Sequence, residues 1–267
     1  MRIGKKIFEM DKTYIMGILN VTPDSFSDGG KFNDTKRALK RVEEMIKEGA
    51  DIIDIGGEST RPGYTKISDE EEIERICPII KEIKKNFDIS VSADTYKSGV
   101  AAAAAESGVD MINDIWGLKY DDKMPDIIKG YDLSCVIMHN RDNTDYGDFA
   151  GDVISDLKYS LELAKKAGID DDRIIIDPGV GFAKSYEQNL EIIRRVDELK
   201  AIGYPVMLAA SRKSVIGLTL DLPPEERTEG TIATSVIAVM KGCNFVRVHD
   251  IKENKRAIMM TEKVMGR

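Results

Sequence analysis

Short apolar runs alternate with longer amphipathic stretches from one end of the chain to the other. Ile15-Met-Gly-Ile-Leu-Asn20 is the first clear run and predicts a buried strand. The stretch after it, up to Gly30, is dense in Thr, Pro, Asp, Ser and Gly and predicts a long loop. Its hydroxyls and carboxylates offer hydrogen bonds, Gly29-Gly30 offers a hinge, and Phe26 offers an apolar face for a flat ligand, so a functional lid is favoured over an idle surface loop. Ala38, Leu39, Val42, Met45 and Ile46 then recur at helical spacing, with Gly49 as the stop. Asp51-Ile-Ile-Asp-Ile-Gly-Gly57 predicts a strand running into glycines. A capping box at Ser68 and Glu71 opens a helix that buries Ile73, Ile76, Ile80 and Ile83, and Pro78 should kink it or shift its start.

Further strands are expected at Ile89–Asp94, Met111–Asp114, Leu133–Met138, Arg173–Asp177, Pro205–Ala210 and Phe245–Val248. Between them lie helical patterns over Ala101–Ala105, Asp122–Lys129 and Asp152–Lys166, the last ending at Gly168. A second capping box at Ser185 and Gln188 precedes Leu190, Ile193, Val196 and Leu199 on one helix face. A broken helical region reaches Gly242, and a last helix closes near Gly266. Eight apolar strands thus alternate with eight helical patterns, and strands apolar on both faces belong in a parallel sheet. The prediction is one α/β domain over residues 1–267, a (β/α)8 TIM barrel, with an open doubly wound sheet as the runner-up. No Pro-, Gly- or Ser-rich linker divides the chain.

The bulk composition narrows the functional classes. A hydrophobic fraction of 42% supports a full core, and 32% charged residues suit a water-facing surface. A net charge of -8 argues against a protein that coats nucleic acid. An anionic ligand would have to be held by a few local cations. Three scattered cysteines, Cys77, Cys135 and Cys243, lack metal spacing and suit a reducing compartment. No apolar run has the length of a signal core or a membrane span, so a cytoplasmic protein with no membrane partner is expected.

In such a barrel the chemistry gathers at the C-terminal ends of the strands. Those ends carry Asn20, Thr60 with Arg61, Asp94, Asn113, His139, Asp177, Lys213, and Arg247 with His249. Asp94, Asn113 and Asp177 make an acceptor-rich wall; Arg61, Lys213, Arg247 and His249 make a donor-rich one. A ligand with an N–H edge and an anionic tail would satisfy both. Each residue also has a plainer role open to it. Asp177 before Pro178-Gly-Val-Gly181 could form a turn, Asp94 could cap the following helix, and Asn113-Asp114 could bond barrel backbone. His139 reads as a structural histidine. Arg247 and His249 alternate onto one side of an extended backbone, as an anion clamp would need.

Several stretches carry a family resemblance. Asn20-Val-Thr-Pro-Asp-Ser-Phe-Ser-Asp-Gly-Gly30 and Asp54-Ile-Gly-Gly-Glu-Ser-Thr-Arg-Pro-Gly63 resemble the two long signatures of the dihydropteroate synthases. Asp177-Pro-Gly-Val-Gly-Phe182, Ser211-Arg-Lys213 and Arg247-Val-His249 follow in the same order as in that family. The resemblance implies a transferase of folate biosynthesis that joins a hydroxymethyl-dihydropterin diphosphate to 4-aminobenzoate. It implies that Asp94, Asn113, Asp177 and Lys213 hold the pterin, with Ile115 and Met138 on its faces. It implies that Arg61, Arg247 and His249, with Asn20, hold the diphosphate, and that Asn20 also contacts Mg²⁺. Ser211 would take the aminobenzoate carboxylate, and Phe26, Pro62 and Phe182 would wall its ring, with Thr60 in the same loop as Arg61. The catalytic set so implied is Lys213, Arg247, His249, Arg61 and Asp94. Family members are homodimers through their late helices, which is the expectation here.

Two features depart from the family pattern. Ala209-Ala210 stands before Ser211 where glycine is common, and Asn140-Arg-Asp-Asn143 replaces a Met-Gln-Gly type sequence, leaving the stretch to Phe149 without a role. A methyltetrahydrofolate:corrinoid methyltransferase-like barrel is the alternative, since it shares the Asp and Asn pterin pocket but needs neither the diphosphate clamp nor the Thr60-Arg61 loop. A Schiff-base aldolase using Lys213 is a further competitor.

Overall fold

The computed structural model describes residues 1–21, 30–58 and 66–267, with side chains from residue 35 onward in the second segment. A short antiparallel hairpin, β1 (Arg2–Ile3) and β2 (Lys6–Ile7), precedes the repeats. The repeats then run β3 (Tyr14–Asn20), α1 (Gly30–Glu48), β4 (Ile52–Gly56), α2 (Asp69–Asn86), β5 (Ser90–Asp94), α3 (Ser98–Glu106), β6 (Met111–Asp114) and α4 (Met124–Gly130). The second half continues with β7 (Ser134–Met138), α5 (Phe149–Ala167), β8 (Ile174–Asp177), α6 (Tyr186–Arg194), β9 (Met207–Leu208), α7 (Ser214–Leu220), α8 (Thr228–Lys241), β10 (Phe245–Val248) and α9 (Ile251–Val264).

The eight strands β3 to β10 are all parallel, in the order β8-β7-β6-β5-β4-β3-β10-β9. A parallel bridge between Ile176 and Val206 joins the two ends of that order. The sheet is therefore wrapped into the expected barrel, with its weakest seam at the two-residue β9. The expected strand Pro205–Ala210 shortens to Met207–Leu208 because the chain leaves the sheet early, toward the turn that carries Ser211 and Lys213.

Period-two alternation divides each strand between two cores. Ile53 and Ile55 of β4, Val91 and Ala93 of β5, Ile112 of β6, Cys135 and Ile137 of β7 and Val246 and Val248 of β10 join the large cluster that includes the helix residues Val42, Ile76, Ile80, Leu157 and Ile258. Met16, Ile52, Met111, Val136, Ile175, Met207 and Phe245 form a second cluster with Ile3 and Phe8 from the N-terminal segment. The hairpin lies outside the sequence expectation. Its turn uses Gly4 at φ +57°, and its chain is tied to the barrel by Ser134 Oγ donating to Arg2 O at 2.6 Å.

Local signals hold where side chains bond the backbone. Ser68 Oγ accepts from Glu71 N at 3.2 Å, and α2 starts at Asp69 and runs through Pro78 to Asn86, so the helix start is not shifted. Ser185 and Gln188 form a complete capping box at the start of α6. Gly168 and Gly242 end α5 and α8 in left-handed conformation. Among the described residues, no helix is long and apolar enough to cross a membrane.

Candidate active site at the C-terminal mouth of the barrel

One inward step beyond the apolar cluster, the same strands turn polar. Ile52 is followed by Asp54, Met111 by Asn113, Ile175 by Asp177 and Phe245 by Arg247. Asp54, Asp94, Asn113 and Asp177 are all buried. The lateral register sets Asp94 beside Gly56 on one flank and Asn113 on the other, while Met138 pairs with Asp177. Strand pairing thus brings Asp94 and Asn113 of the expected acceptor wall side by side, with Asp177 at the end of β8.

Arg247 lies across that wall. Its Nε donates to Asp54 Oδ2 at 2.6 Å and its Nη2 to Asp94 Oδ2 at 2.6 Å, while Asn113 Nδ2 donates to Asp54 Oδ2 at 3.2 Å. The sequence predicts donors and acceptors on opposed walls; the structure joins them, the Arg247 guanidinium compensating two buried carboxylates. Asp54 Oδ1 and Asp94 Oδ1 are buried and find no hydrogen-bond partner among the described residues. Burial, with Asp54 nearby and despite Arg247, raises the Asp94 carboxyl to about 7. Burial also raises Asp177, against the pull of Lys213. Burial lowers Lys213 to about 8 although Asp177 and Asp94 favour its charge. For Arg247 burial opposes the charge, but Asp54 and Asp94 outweigh it and hold the pKa above its ordinary value.

The plainer roles separate cleanly. Asp94 does not cap α3, whose N-cap is Lys97 with no side-chain bond. Asp114 is the backbone binder, accepting from Trp116 N at 2.8 Å and Leu118 N at 2.7 Å, which leaves Asn113 to the mouth. Asp177 does form a turn, Oδ1 accepting from Gly179 N at 2.6 Å. Ile115 and Met138 share a small apolar cluster with Tyr96, and Trp116 and Phe182 pack against it. Lys213 Nζ donates to Val180 O at 2.5 Å and sits 4.8 Å from the centre of the Phe182 ring.

Ser211 and Lys213 flank a sharp turn. Arg212 adopts φ +56°, its amide donates to Thr231 Oγ1 at 3.1 Å, and its guanidinium turns away to Asp250 at 3.0 and 2.5 Å. Ser211 Oγ lies 3.0 Å from His249 Nδ1 and accepts from His249 N at 3.2 Å. His249 thus stands with Ser211, while Arg247 stands with Asp54 and Asp94. Asn20 ends β3 exposed, and a Cβ on Gly56 would lie 3.8 Å from both Asn20 Oδ1 and Asp94 Oδ2, so Asn20 belongs to the same rim. Phe26, Thr60, Arg61 and Pro62 lie outside the described residues.

Two features went unread in the sequence. Asp54 is one; its signal was a carboxylate on the inward face of an otherwise apolar strand. The other is a buried charge cluster beside the mouth. Lys97 Nζ donates to Glu58 Oε2 at 2.7 Å, Glu72 Oε2 at 2.8 Å and Ile67 O at 2.8 Å, and Tyr96 OH donates to Glu58 Oε1 at 2.6 Å. Nothing in the periodicity marks Lys97 as buried.

Comparison with known proteins bears on the family and the fold. The model of the family described as "Pterin binding enzyme" matches residues 16–249. The dihydropteroate synthase of Clostridium beijerinckii is 58% identical over 269 residues, covering 100% of both chains. A Clostridium difficile dihydropteroate synthase crystallised in the presence of pteroic acid superposes with a TM-score of 0.93 at 49% identity, over 99% of this chain and 98% of that one. The Xanthomonas albilineans enzyme with 4-aminobenzoic acid gives a TM-score of 0.91 at 37% identity, over 97% and 95% of the two chains.

Proposed function

The chain belongs to the pterin-binding enzymes and, within them, to the dihydropteroate synthases, and from that premise we propose which of its residues do the work. The reaction is a transfer in folate biosynthesis: 6-hydroxymethyl-7,8-dihydropterin diphosphate and 4-aminobenzoate become 7,8-dihydropteroate and diphosphate. Asp94, Asn113 and Asp177 accept and donate along the pterin edge, Lys213 donates to its ring, and Ile115 and Met138 lie against its faces. The observation that supports this most is the buried Asp94 Oδ1, an acceptor with no donor among the described residues. Arg247, drawn off Asp94 by the incoming N–H groups, turns to the diphosphate together with His249. The methylene C–O bond breaks with its electron pair leaving on the diphosphate, whose growing charge the cations stabilise. The neutral amine of 4-aminobenzoate then attacks the methylene carbon and loses a proton. Ser211 orients its carboxylate and Phe182 lines its ring. Thr60, Arg61, Pro62 and Phe26 complete the two sides.

Mg²⁺ is the proposed metal. No cluster of three or more His, Cys, Asp or Glu among the described residues could hold a metal alone. Asn20 offers one exposed amide oxygen on the rim, which fits an ion that takes most of its ligands from phosphate and water. When bound, Mg²⁺ would neutralise charge on the diphosphate. The late helices expose Met240 on α8 and Met259, Met260 and Val264 on α9, and we assign this apolar face to a homodimer in the cytoplasm. Sedimentation should give twice the chain mass; a monomer at micromolar concentration contradicts the assignment. The residue roles are tested by diphosphate release in the presence of both substrates. Asp94→Asn and Lys213→Met should each abolish release at substrate levels that saturate the wild type, and wild-type rates from either variant would remove the roles.

A further inference from the structure

The loop from Asp177 to Lys184 carries three groups that the site uses: the Asp177 carboxylate, the Val180 carbonyl under Lys213, and the Phe182 ring. Its backbone is unusual. Gly179 and Gly181 take φ +71° and +84°, Ala183 takes φ +45°, and a Cβ on Gly179 would meet His139 O at 2.0 Å. Such a loop needs an external hold.

That hold lies behind it. Lys184 Nζ donates to Gly179 O at 3.1 Å, to Phe182 O at 3.1 Å and to His139 Nδ1 at 2.8 Å. Burial lowers Lys184 to about 7; in its ammonium form it can only donate, so Nδ1 is then the acceptor and the His139 proton sits on Nε2, 3.0 Å from Asp156 Oδ2. Arg141 Nε donates to the same Asp156 oxygen at 2.5 Å, and Tyr146 OH donates to Ala183 O at 2.7 Å. Arg141 and Tyr146 belong to the Asn140–Phe149 stretch, which matched no family pattern and had no role in sequence. Burial and Lys184 together push His139 down to about 3, so the ring stays neutral and serves as a fixed relay.

We infer that Lys184, backed by His139, Asp156 and the Arg141–Tyr146 stretch, is a positioning residue that holds the Asp177–Phe182 loop in its binding geometry for both substrates. The inference rests on the proposed roles of Asp177 and Phe182. A loop loosened by about an ångström loses pre-organised contacts to the pterin and to the aminobenzoate ring, while the reacting groups themselves stay in place.

The test compares Lys184→Met, Asp156→Asn and Asp177→Asn with wild type by calorimetric titration of the pterin diphosphate, steady-state kinetics and thermal melting. Lys184→Met should weaken pterin binding by about tenfold to a hundredfold and raise the KM for both substrates, with a much smaller change in kcat. Lys184→Arg, which keeps charge and donors, should recover part of the loss. Asp156→Asn should move the same constants in the same direction by less, and it carries the test if Lys184→Met does not fold. A folded Lys184→Met or Asp156→Asn with wild-type affinity and KM, beside an Asp177→Asn with clearly weakened pterin binding, overturns the positioning role alone. An Asp177→Asn with wild-type pterin affinity overturns the site reading and the inference with it. The chain has two histidines, so ¹⁵N labelling reads both rings; a His139 proton on Nδ1 in the wild type would also refute the relay.

Discussion

The two halves of the barrel interior are built by the same strands and differ by one inward step. The lower half closes over Met16, Ile52, Met111, Val136, Ile175, Met207 and Phe245, sealed by Ile3 and Phe8. The upper half replaces these with Asp54, Asn113 and Asp177, equally buried, and the partly buried Arg247; with Asp94 beside them, Asp54 Oδ1 and Asp94 Oδ1 find no partner among the described residues. Apolar burial in the lower half stabilises the fold. Desolvated charge in the upper half opposes folding, and on the proposed function the pterin completes it. Stability and binding are thus separated along the barrel axis, over a distance of two residues per strand.

Substitutions should reveal that separation by affecting one property at a time. Phe245→Ala empties a fully buried ring site and should cost about 3–5 kcal/mol in urea unfolding, with the KM of the remaining folded enzyme unchanged. A raised KM would show that the halves are coupled. Arg247→Ala, two residues on, should lower turnover by about 10²–10³-fold and pterin affinity by much less, since the charge it meets grows during C–O cleavage. An unchanged turnover number would place the anion elsewhere. Asp177→Ala should weaken pterin binding by about 2–3 kcal/mol in a calorimetric titration while leaving the melting temperature near wild type. The pH dependence should be milder. Below about 7 Asp94 takes up a proton and stops being an anionic acceptor; above about 8 Lys213 loses its charge. Pterin affinity should therefore peak between those values, and Asp94→Asn should remove the acid limb. At the small end, Ser185→Ala removes one half of the capping box and should cost about 1 kcal/mol with no change in kinetics.

The same division explains what could be read in the sequence. Alternation of apolar runs and helical patterns was enough for the barrel, because each repeat is local and each strand buries both faces. The strand ends that became Asp94, Asn113, Asp177, Lys213 and Arg247 were visible because charge is conspicuous after an apolar run. Asp54 escaped because it sits one step inside its strand rather than at the end. Lys97, Glu58 and Glu72 escaped because a charged residue on a helix or loop reads as solvated until packing brings its partners together. The N-terminal hairpin escaped because its two strands have two residues each, and only Ile3 and the following Phe8 are buried against the barrel floor. The pairing of Arg247 with Asp54 and Asp94 was beyond sequence altogether, since it depends on which neighbours the register brings within reach.

The proposed function makes the upper half a pterin pocket in which Arg247 leaves Asp94 for the diphosphate. A crystal structure with the pterin diphosphate bound tests this most directly. The pterin N–H edge should lie within hydrogen-bond distance of Asp94 and Asp177, with the Arg247 guanidinium released from Asp94 and turned to the diphosphate. A pterin bound elsewhere, with the Arg247–Asp94 pair intact, would contradict it.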